Sequence, residues 1–151
     1  MLTSQELSAW RGFLETHARV TRALDAEMRA EHGLPVSSYE VLMFLADAPG
    51  QRLRMAEIAD RVLLSRSGLT RLVDRLVALE YVRRNACADD GRGSYAELTE
   101  AGAAKLEAAR RTHLAGVREF FLERLGDEDQ RALGDAWDKV LLPSEHLGLP
   151  A

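Results

Sequence analysis

The chain has 151 residues, of which 46% are hydrophobic and 29% charged, and its formal net charge is -4. These values are ordinary for one globular domain and exclude two large domains, a fibrous protein and a disordered one. No apolar run approaches the roughly 20 residues that a membrane span needs. The first residues lack the basic and apolar segments of a signal peptide, so we expect a cytoplasmic protein. A lone cysteine, Cys87, excludes an internal disulfide and paired-thiol metal sites.

The first predicted element is a long helix from about Ser4 to about Ala30, because Thr3 and Glu6 have the spacing of a capping box. His17 and Thr21 lie on its apolar seam. Polar groups on a buried stripe need hydrogen-bond partners, so these two indicate either a structural contact or the wall of a polar pocket. The apolar members of the seam are Leu7, Trp10, Leu14, Leu24 and Met28.

A second helix follows the break at Gly33 and Pro35. Ser37 and Glu40 have the spacing of another capping box and predict a helix to about Asp47. Residues 48–51 read as a turn, and a very short strand is expected at Leu53.

Two further helices, 55–62 and 65–79, are separated by a short turn, which is the pattern of a helix-turn-helix. In the second, Ser65 is the expected cap, and one face is apolar: Leu69, Leu72, Val73, Leu76 and Leu79. The opposite face carries guanidinium and hydroxyl groups: Arg66, Ser67, Thr70, Arg71 and Arg75. Such groups suit phosphate oxygens and base edges in a groove, and a merely solvated face is the alternative.

A β-hairpin is predicted directly after this helix, with strands at 81–84 and 94–98 and a glycine-containing turn at 88–93. Its tip carries Arg92, and a guanidinium there can enter a narrow minor groove. From Arg61 to Arg92 there are seven arginines and four acidic residues, a net charge of +3, whereas the remaining residues sum to -7. Positive charge is therefore concentrated around the predicted reading helix.

The end helices are more apolar than a wing module requires. Thr99 caps a helix predicted to reach Leu125 and to end at Gly126, and Asp127 with Gln130 forms a third capping box opening a helix that stops at Pro143. We interpret the ends as a dimerisation unit. The predicted fold is mainly α: a dimerisation region at 1–34 and 99–142, a winged helix-turn-helix with a two- to three-stranded wing at 35–98, and a tail at 143–151.

Five runs of this sequence resemble the MarR family of bacterial winged-helix transcription regulators, across roughly residues 5 to 142. They are Ala56–Asp60, Leu64–Leu76, Tyr81–Arg84, Asp90–Gly93 and Leu98–Gly102. The most specific part is the Asp-x-Arg wing followed by Leu-Thr-x-x-Gly. The resemblance implies an obligate homodimer that binds palindromic operators in double-stranded DNA and, in many members, releases them when a small aromatic or anionic effector binds.

The resemblance also implies residue roles. The family's major-groove contacts fall on Ser65, Arg66, Ser67, Thr70, Arg71 and Arg75. Arg92 would enter the minor groove, oriented by an ion pair with Asp90. Strand alternation allows at most one of Arg83 and Arg84 to reach phosphate, and Arg84 is the candidate.

Candidates for an effector site are Trp10, His17, Tyr39 and Met43, because helices that begin near residues 4 and 37 should pack side by side. Aromatic, titratable and thioether groups suit a small aromatic ligand, with simple core packing as the alternative. His113 is a further candidate.

The sequence thus predicts a ligand-responsive repressor. The family's thiol sensors use a cysteine near the first helix, where this chain has none, so we do not expect thiol sensing of that kind. Redox regulation in which a modified Cys87 disturbs the wing is an alternative. Another is an adaptor whose basic face binds an acidic protein. No Gly-x-Ser-x-Gly elbow, paired carboxylates or metal-ligand spacing occurs, so we expect no enzyme activity, no cofactor and no metal.

Overall fold

The computed structural model describes residues 1–62, 66–86 and 94–141, with the backbone alone at residues 66 and 86. Six α-helices and three strands are found in these ranges, which confirms a mainly helical winged helix-turn-helix. The helices are α1 (Ser4–His32), α2 (Val36–Asp47), α3 (Met55–Arg61), α4 (Arg66–Ala78), α5 (Glu100–Phe120) and α6 (Asp127–Leu141). The strands are β1 (Arg52–Arg54), β2 (Val82–Ala86) and β3 (Ser94–Leu98). Short 3-10 turns occupy Pro49–Gln51 and Leu122–Arg124.

The three strands form an antiparallel sheet in the order β1-β3-β2. Leu53 and Arg84 both lie opposite the central residue Ala96, and Val82 lies opposite Leu98. The apolar members of this set are buried and cover the helices from one side. Both predicted hairpin strands are found: β3 has the predicted bounds, whereas β2 spans Val82–Ala86 instead of 81–84. The predicted turn of the hairpin lies outside the described residues.

The core is centred on α2, α3, α4 and the inner face of the sheet. On α4 the predicted apolar face is confirmed, with Leu69, Leu72, Val73 and Leu76 all buried. Leu79 was predicted to share that face and is 54% exposed, so this prediction is wrong. The helix ends at Ala78, and Glu80 adopts a positive φ of 60°, which turns the chain away from the core.

The N-terminus of α1 forms the predicted capping box: Thr3 Oγ1 accepts from the Glu6 backbone at 3.2 Å, and Glu6 Oε2 accepts from the Thr3 backbone at 2.7 Å. The helix continues to His32, slightly beyond the predicted end, and stops at Gly33, whose φ of 60° favours glycine. Of its residues only Leu24 and Met28 are buried. Both lie in its second half.

The predicted capping box of α2 is wrong. This helix begins at Val36, so Ser37 lies inside it, and Pro35 at the cap position offers no side-chain hydrogen bond. The cap comes from α1 instead: Oδ1 of Asp25 accepts from the Val36 backbone at 2.9 Å. A carboxylate at a helix N-terminus satisfies an orphan donor and faces the positive end of the helix dipole. Asp25 therefore connects the long first helix to α2.

The predicted end of α5 and the predicted capping box of α6 are also wrong, whereas α6 itself spans Asp127–Leu141, close to the predicted bounds. The helix α5 ends at Phe120 instead of Leu125, because Phe121 leaves the helical region, with φ -129° and ψ -63°. Gln130 does not close a capping box with Asp127. Its Nε2 donates to the carbonyls of Leu122 and Leu125, at 3.2 and 3.1 Å, while Asp129 accepts from the Gly126 backbone at 3.1 Å. The side chain of Gln130 thus satisfies carbonyls that a continuous helix would have paired.

The Leu-Thr-x-x-Gly motif joins the sheet to α5. Thr99 Oγ1 accepts from the Gly102 backbone at 2.9 Å and donates to the Glu80 carbonyl at 2.7 Å. The Thr99 backbone donates to the Tyr81 carbonyl at 3.1 Å. A Cβ at position 102 would lie 2.1 Å from that same Tyr81 oxygen. The motif therefore requires a hydroxyl at its second position and the absence of a side chain at its last.

Candidate nucleic-acid interface

The exposed face of α4 lies directly opposite its buried leucines. Ser67, Thr70, Arg71 and Arg75 are all exposed on it. The Arg71 Nε atom donates to the Ser67 carbonyl over a long distance of 3.4 Å. Because the opposite face is fixed in the core, these groups are presented by a helix that cannot rotate freely. Ser65 lies outside the described residues, as does the side chain of Arg66.

Arg84 has a partner that the sequence did not indicate. Its Nη1 atom lies 3.1 Å from Oδ1 of Asp74 on α4, and the Arg84 side chain is 33% exposed. Arg84 shares the inward sheet face with Val82, whereas Arg83 lies on the outer face opposite Glu97. The ion pair ties the hairpin to α4, so Arg84 positions these two elements. A phosphate contact by Arg84 stays a prediction.

The predicted wing contacts, Asp90 and Arg92, lie outside the described residues, and so does Cys87. The register of the hairpin pairs Ala86 with Ser94, and residues 87–93 connect these two positions. The wing therefore starts from the end of the sheet that is remote from Thr99.

The outer face of the sheet carries a cluster that the sequence analysis missed. The guanidinium carbons of Arg52 and Arg54 lie 5.3 and 5.5 Å from the centre of the Tyr95 ring. Arg54 Nε also donates to the Tyr95 hydroxyl at 3.2 Å. Alternation in the run Arg-Leu-Arg was the available signal, since it places both arginines on the face opposite buried Leu53.

The five proposed effector residues do not form one pocket. Trp10 and His17 line an open, mainly apolar groove of about 1000 Å³ between α1, the end of α5 and α6. Tyr39 and His113 lie elsewhere, stacked on each other with ring centres 4.4 Å apart and planes inclined by 28°. Met43 is half-buried and packs against the core. Two separate places thus replace the single predicted one.

The stacked pair has unusual electrostatics. Burial raises the pKa of the Tyr39 hydroxyl and lowers the pKa of the His113 imidazole, so the neutral form of each is favoured. Within the described part of the chain, the buried Nδ1 atom of His113 has no hydrogen-bond partner. A buried polar nitrogen without a partner is unusual in a folded protein.

Glu40, on the helix that carries Tyr39, is also affected by its surroundings. Burial raises the pKa of its carboxyl, and the positive charge of protonated His17 opposes that shift. His17, on the groove, therefore interacts electrostatically with α2.

Two solved structures and one relative found by sequence are similar to this chain over most of its length. The crystal structure of Sco3205, a MarR family transcriptional regulator from Streptomyces coelicolor in complex with DNA, is 36% identical and has a TM-score of 0.85, covering 96% of this chain and 93% of that one. AbsC, a MarR family regulator from the same organism, is 34% identical with a TM-score of 0.81, covering 93% and 94%. The HTH-type transcriptional repressor YetL of Bacillus subtilis is 30% identical over 115 residues, which are 74% of this chain and 68% of YetL.

The helix pair α3 and α4, the hairpin packed on α4 and the exposed cationic helix face define a winged helix-turn-helix protein. The family model described as "MarR family" matches residues 32–93. With the similarity to its members, this match shows that the chain belongs to the MarR family of transcriptional regulators.

Proposed function

We propose that this protein is a cytoplasmic, homodimeric repressor that binds palindromic operators in double-stranded DNA and acts by binding, without catalysis. The observation that carries the proposal is α4, whose buried face fixes an exposed row of Arg71, Arg75 and hydroxyl groups. In the major groove such side chains pair with guanine edges and phosphates. Arg92 is assigned to the adjacent minor groove. Sco3205, which is similar over nearly the whole chain, was crystallised with DNA.

The proposed dimer is supported by apolar side chains that one protomer leaves exposed. On α1, Trp10 and Phe13 are 54% and 43% exposed, and on α6, Val140 and Leu141 are 61% and 73% exposed. Phe13 packs on Trp137 with ring centres 5.4 Å apart, so these surfaces are continuous. A contiguous apolar surface of this kind is typical of a protein interface. A second copy covering it would hold two α4 helices at the spacing of two half-sites, about 34 Å.

The proposed function is tested by selecting bound sequences from random duplex DNA with the purified full chain. We expect enrichment of a palindrome whose half-sites are about one helical turn apart. Binding to the selected duplex should weaken steeply as salt rises, because several phosphate contacts release counterions. If no sequence were enriched over the random starting pool, the proposal would be contradicted. Strong binding to an acidic protein instead of DNA would favour the alternative function, a protein-interaction adaptor.

We further propose that a small aromatic acid lowers the affinity for DNA by shifting the population of protomer arrangements. Two places support this: the groove at His17, and the stacked Tyr39 and His113, whose buried Nδ1 offers a hydrogen-bonding group. A panel of phenolic acids would be screened by thermal shift on the native protein, His17→Ala and His113→Ala. A shift lost only in His17→Ala assigns the groove, one lost only in His113→Ala assigns the stack, and equal shifts in all three exclude both histidines.

A further inference from the structure

The helix α4 carries one acidic residue on its cationic exposed face. Its sequence contains three arginines and a single acid, Asp74. Asp74 is exposed and lies one helical turn after Thr70 and Arg71, so these side chains share a face. On the proposed function that face meets phosphates, which a carboxylate repels. Asp74 therefore opposes DNA binding by charge alone, and its place on this face calls for another contact.

Asp74 makes that contact with the hairpin. Oδ1 of Asp74 lies 3.1 Å from Nη1 of Arg84 on β2, and the two side chains are 56% and 33% exposed. Strand alternation explains the reach of Arg84, because it lies two residues after buried Val82 and shares its inward face. The strand β2 is at the edge of the sheet, next to the central strand β3. The ion pair therefore ties the edge of the sheet to the exposed side of α4.

The ion pair adds a second fixed point along β2. The start of the strand is held in the core by Val82, which is 1% exposed. Arg84 is held at α4 two residues further on, and β2 ends at Ala86, directly before residues 87–93, the segment assigned to the minor groove. One fixed point leaves the direction of a strand adjustable, whereas two define it. The pair therefore bears on the angle between the elements that are assigned to adjacent grooves.

We propose that Asp74 and Arg84 are positioning residues, whose ion pair holds the hairpin at the angle from α4 that lets both elements contact the operator at once. The inference rests on the proposed function. Pre-organisation raises affinity most where both contacts must be made in register, so the pair favours the operator over unrelated duplex. Arg84 acts through α4 in this role, and the phosphate contact predicted from the sequence is the alternative.

Replacing Asp74 with asparagine separates positioning from simple charge attraction, because the two predict opposite changes. Asp74→Asn removes a negative charge from the face of α4, so charge alone predicts tighter binding to every duplex. Positioning predicts that affinity for the selected operator falls by about two- to fivefold, the contribution of a partly exposed ion pair. Affinity for a shuffled duplex should not fall. Fluorescence anisotropy with both labelled duplexes measures the ratio of the two affinities.

Arg84→Gln and the double variant Asp74→Asn/Arg84→Gln distinguish one shared contact from two separate ones. Residues that act through one contact have non-additive effects, so the double variant should lose no more operator affinity than Arg84→Gln alone. The slope of log K against log salt should stay native in Arg84→Gln. A slope reduced by about 0.9 in that variant, with losses that add in the double variant, would show a phosphate contact and overturn the inference. Asp74→Glu keeps the charge and should retain the native ratio of affinities.

The matched control is Glu15→Gln, because the ion pair between Glu15 and Arg19, at 2.8 Å, is exposed and lies within one helix. Both affinities should stay native. Equal or tighter operator binding by Asp74→Asn would contradict the inference, and so would an equal loss on both duplexes. If the native protein enriched no sequence, the proposed function itself would fail, whereas native operator binding that Asp74→Asn does not weaken would remove only the role of the pair.

Discussion

Neighbouring residues on α4 have different roles: the buried ones stabilise the core, and the exposed ones are available for recognition. Leu72 and Val73 are buried, while their neighbours Arg71 and Asp74 are exposed. The three-and-four spacing of the apolar residues was enough to predict this division, because a helix places such residues on one face. Recognition residues can therefore be changed without disturbing the core.

Replacing Arg71 with alanine should weaken binding to the selected operator by about 10- to 100-fold and leave the oligomeric state intact, since loss of a bidentate base contact costs about 1–3 kcal/mol. Fluorescence anisotropy with labelled operator measures the affinity, and sedimentation measures the assembly. Arg19→Ala, remote on α1, serves as the control and should bind like the native protein. Native affinity in Arg71→Ala would remove this residue from the contacts.

Gly102 is predicted to tolerate no side chain. In Gly102→Ala the new Cβ would lie 2.1 Å from the Tyr81 carbonyl oxygen, which is part of the backbone and cannot move aside cheaply. We expect the free energy of unfolding to fall by about 1–3 kcal/mol, as in other overpacked sites.

Gly134 on α6 is the matched control, because no atom of the described residues lies within 4 Å of a Cβ built there. Gly134→Ala should raise the free energy of unfolding by about 0.5–1 kcal/mol through helix propensity. Urea denaturation at one fixed protein concentration compares the two variants. If the two substitutions changed the free energy of unfolding in the same direction, the role assigned to Gly102 would be contradicted.

Other residue roles could not be predicted from sequence. Strand alternation made Arg84 the candidate for a phosphate contact, which stays a prediction, but it did not indicate the ion pair that Arg84 forms with Asp74 on α4. Tyr39 was placed in one pocket with Trp10, and instead it stacks on His113, the further candidate, away from Trp10. Each of these contacts joins segments distant in sequence, so no local pattern encodes it.

At the scale of elements, one side chain of α1 determines where α2 begins. Asp25 Oδ1 caps Val36, and the other oxygen of the carboxylate pairs with Arg29 at 2.5 Å. Partial burial raises the pKa of Asp25. The hydrogen bonds from Arg29 and from the Val36 backbone together lower it by more, so the net shift of the pKa is downward. The folded state thus favours the carboxylate.

Asp25→Ala should lower the free energy of unfolding at pH 7 by about 1 kcal/mol, the usual cost of a lost N-cap. Because the pKa of Asp25 is lower in the folded than in the unfolded chain, its contribution is present above about pH 4, the unfolded value, and is lost as pH falls through the folded value. The native protein and the alanine variant should therefore converge in stability at acid pH.

Asp25→Asn is the informative control. The amide oxygen of the asparagine can still accept from the Val36 backbone, so at pH 7 this variant should lose less stability than Asp25→Ala. An asparagine cap does not titrate, so its contribution should not change with pH. Urea denaturation of the three proteins at pH 7 and at acid pH provides the comparison. If Asp25→Ala were as stable as the native protein at pH 7, the cap assigned to Asp25 would be wrong.

At the scale of the whole molecule, one protomer does not bury all of its apolar surface. No residue of α6 in the described range is buried. Within the same ranges, none of the helices is long and apolar enough to cross a membrane. Because Phe13 on α1 packs on Trp137 of α6, the exposed apolar surfaces of these two helices are continuous, and we assign them to the proposed dimer.

Val140→Glu should convert the proposed dimer to a monomer at micromolar concentration. Val140 is 61% exposed in the protomer, so the change leaves the protomer's own packing intact, but it would bury an unpaired charge between two copies. Sedimentation gives the mass, and circular dichroism checks the helical content.

Leu79→Glu is the control for that experiment, since Leu79 is 54% exposed at the end of α4, away from the groove. It should remain dimeric. A monomeric native protein at the same concentration would contradict the assembly, as would a dimeric Val140→Glu.

The sequence by itself determined the features that depend on neighbours in the chain. These are the two faces of α4, the strands of the hairpin and the Thr3 cap of α1, all of which follow from helix period, strand alternation and cap chemistry. Tertiary structure decided which distant groups meet: Asp25 with the start of α2, Arg84 with Asp74, Tyr39 with His113, and two arginines with Tyr95. The physical reason is that these contacts depend on how elements pack, and packing follows from the burial of the whole apolar surface and not from any one segment.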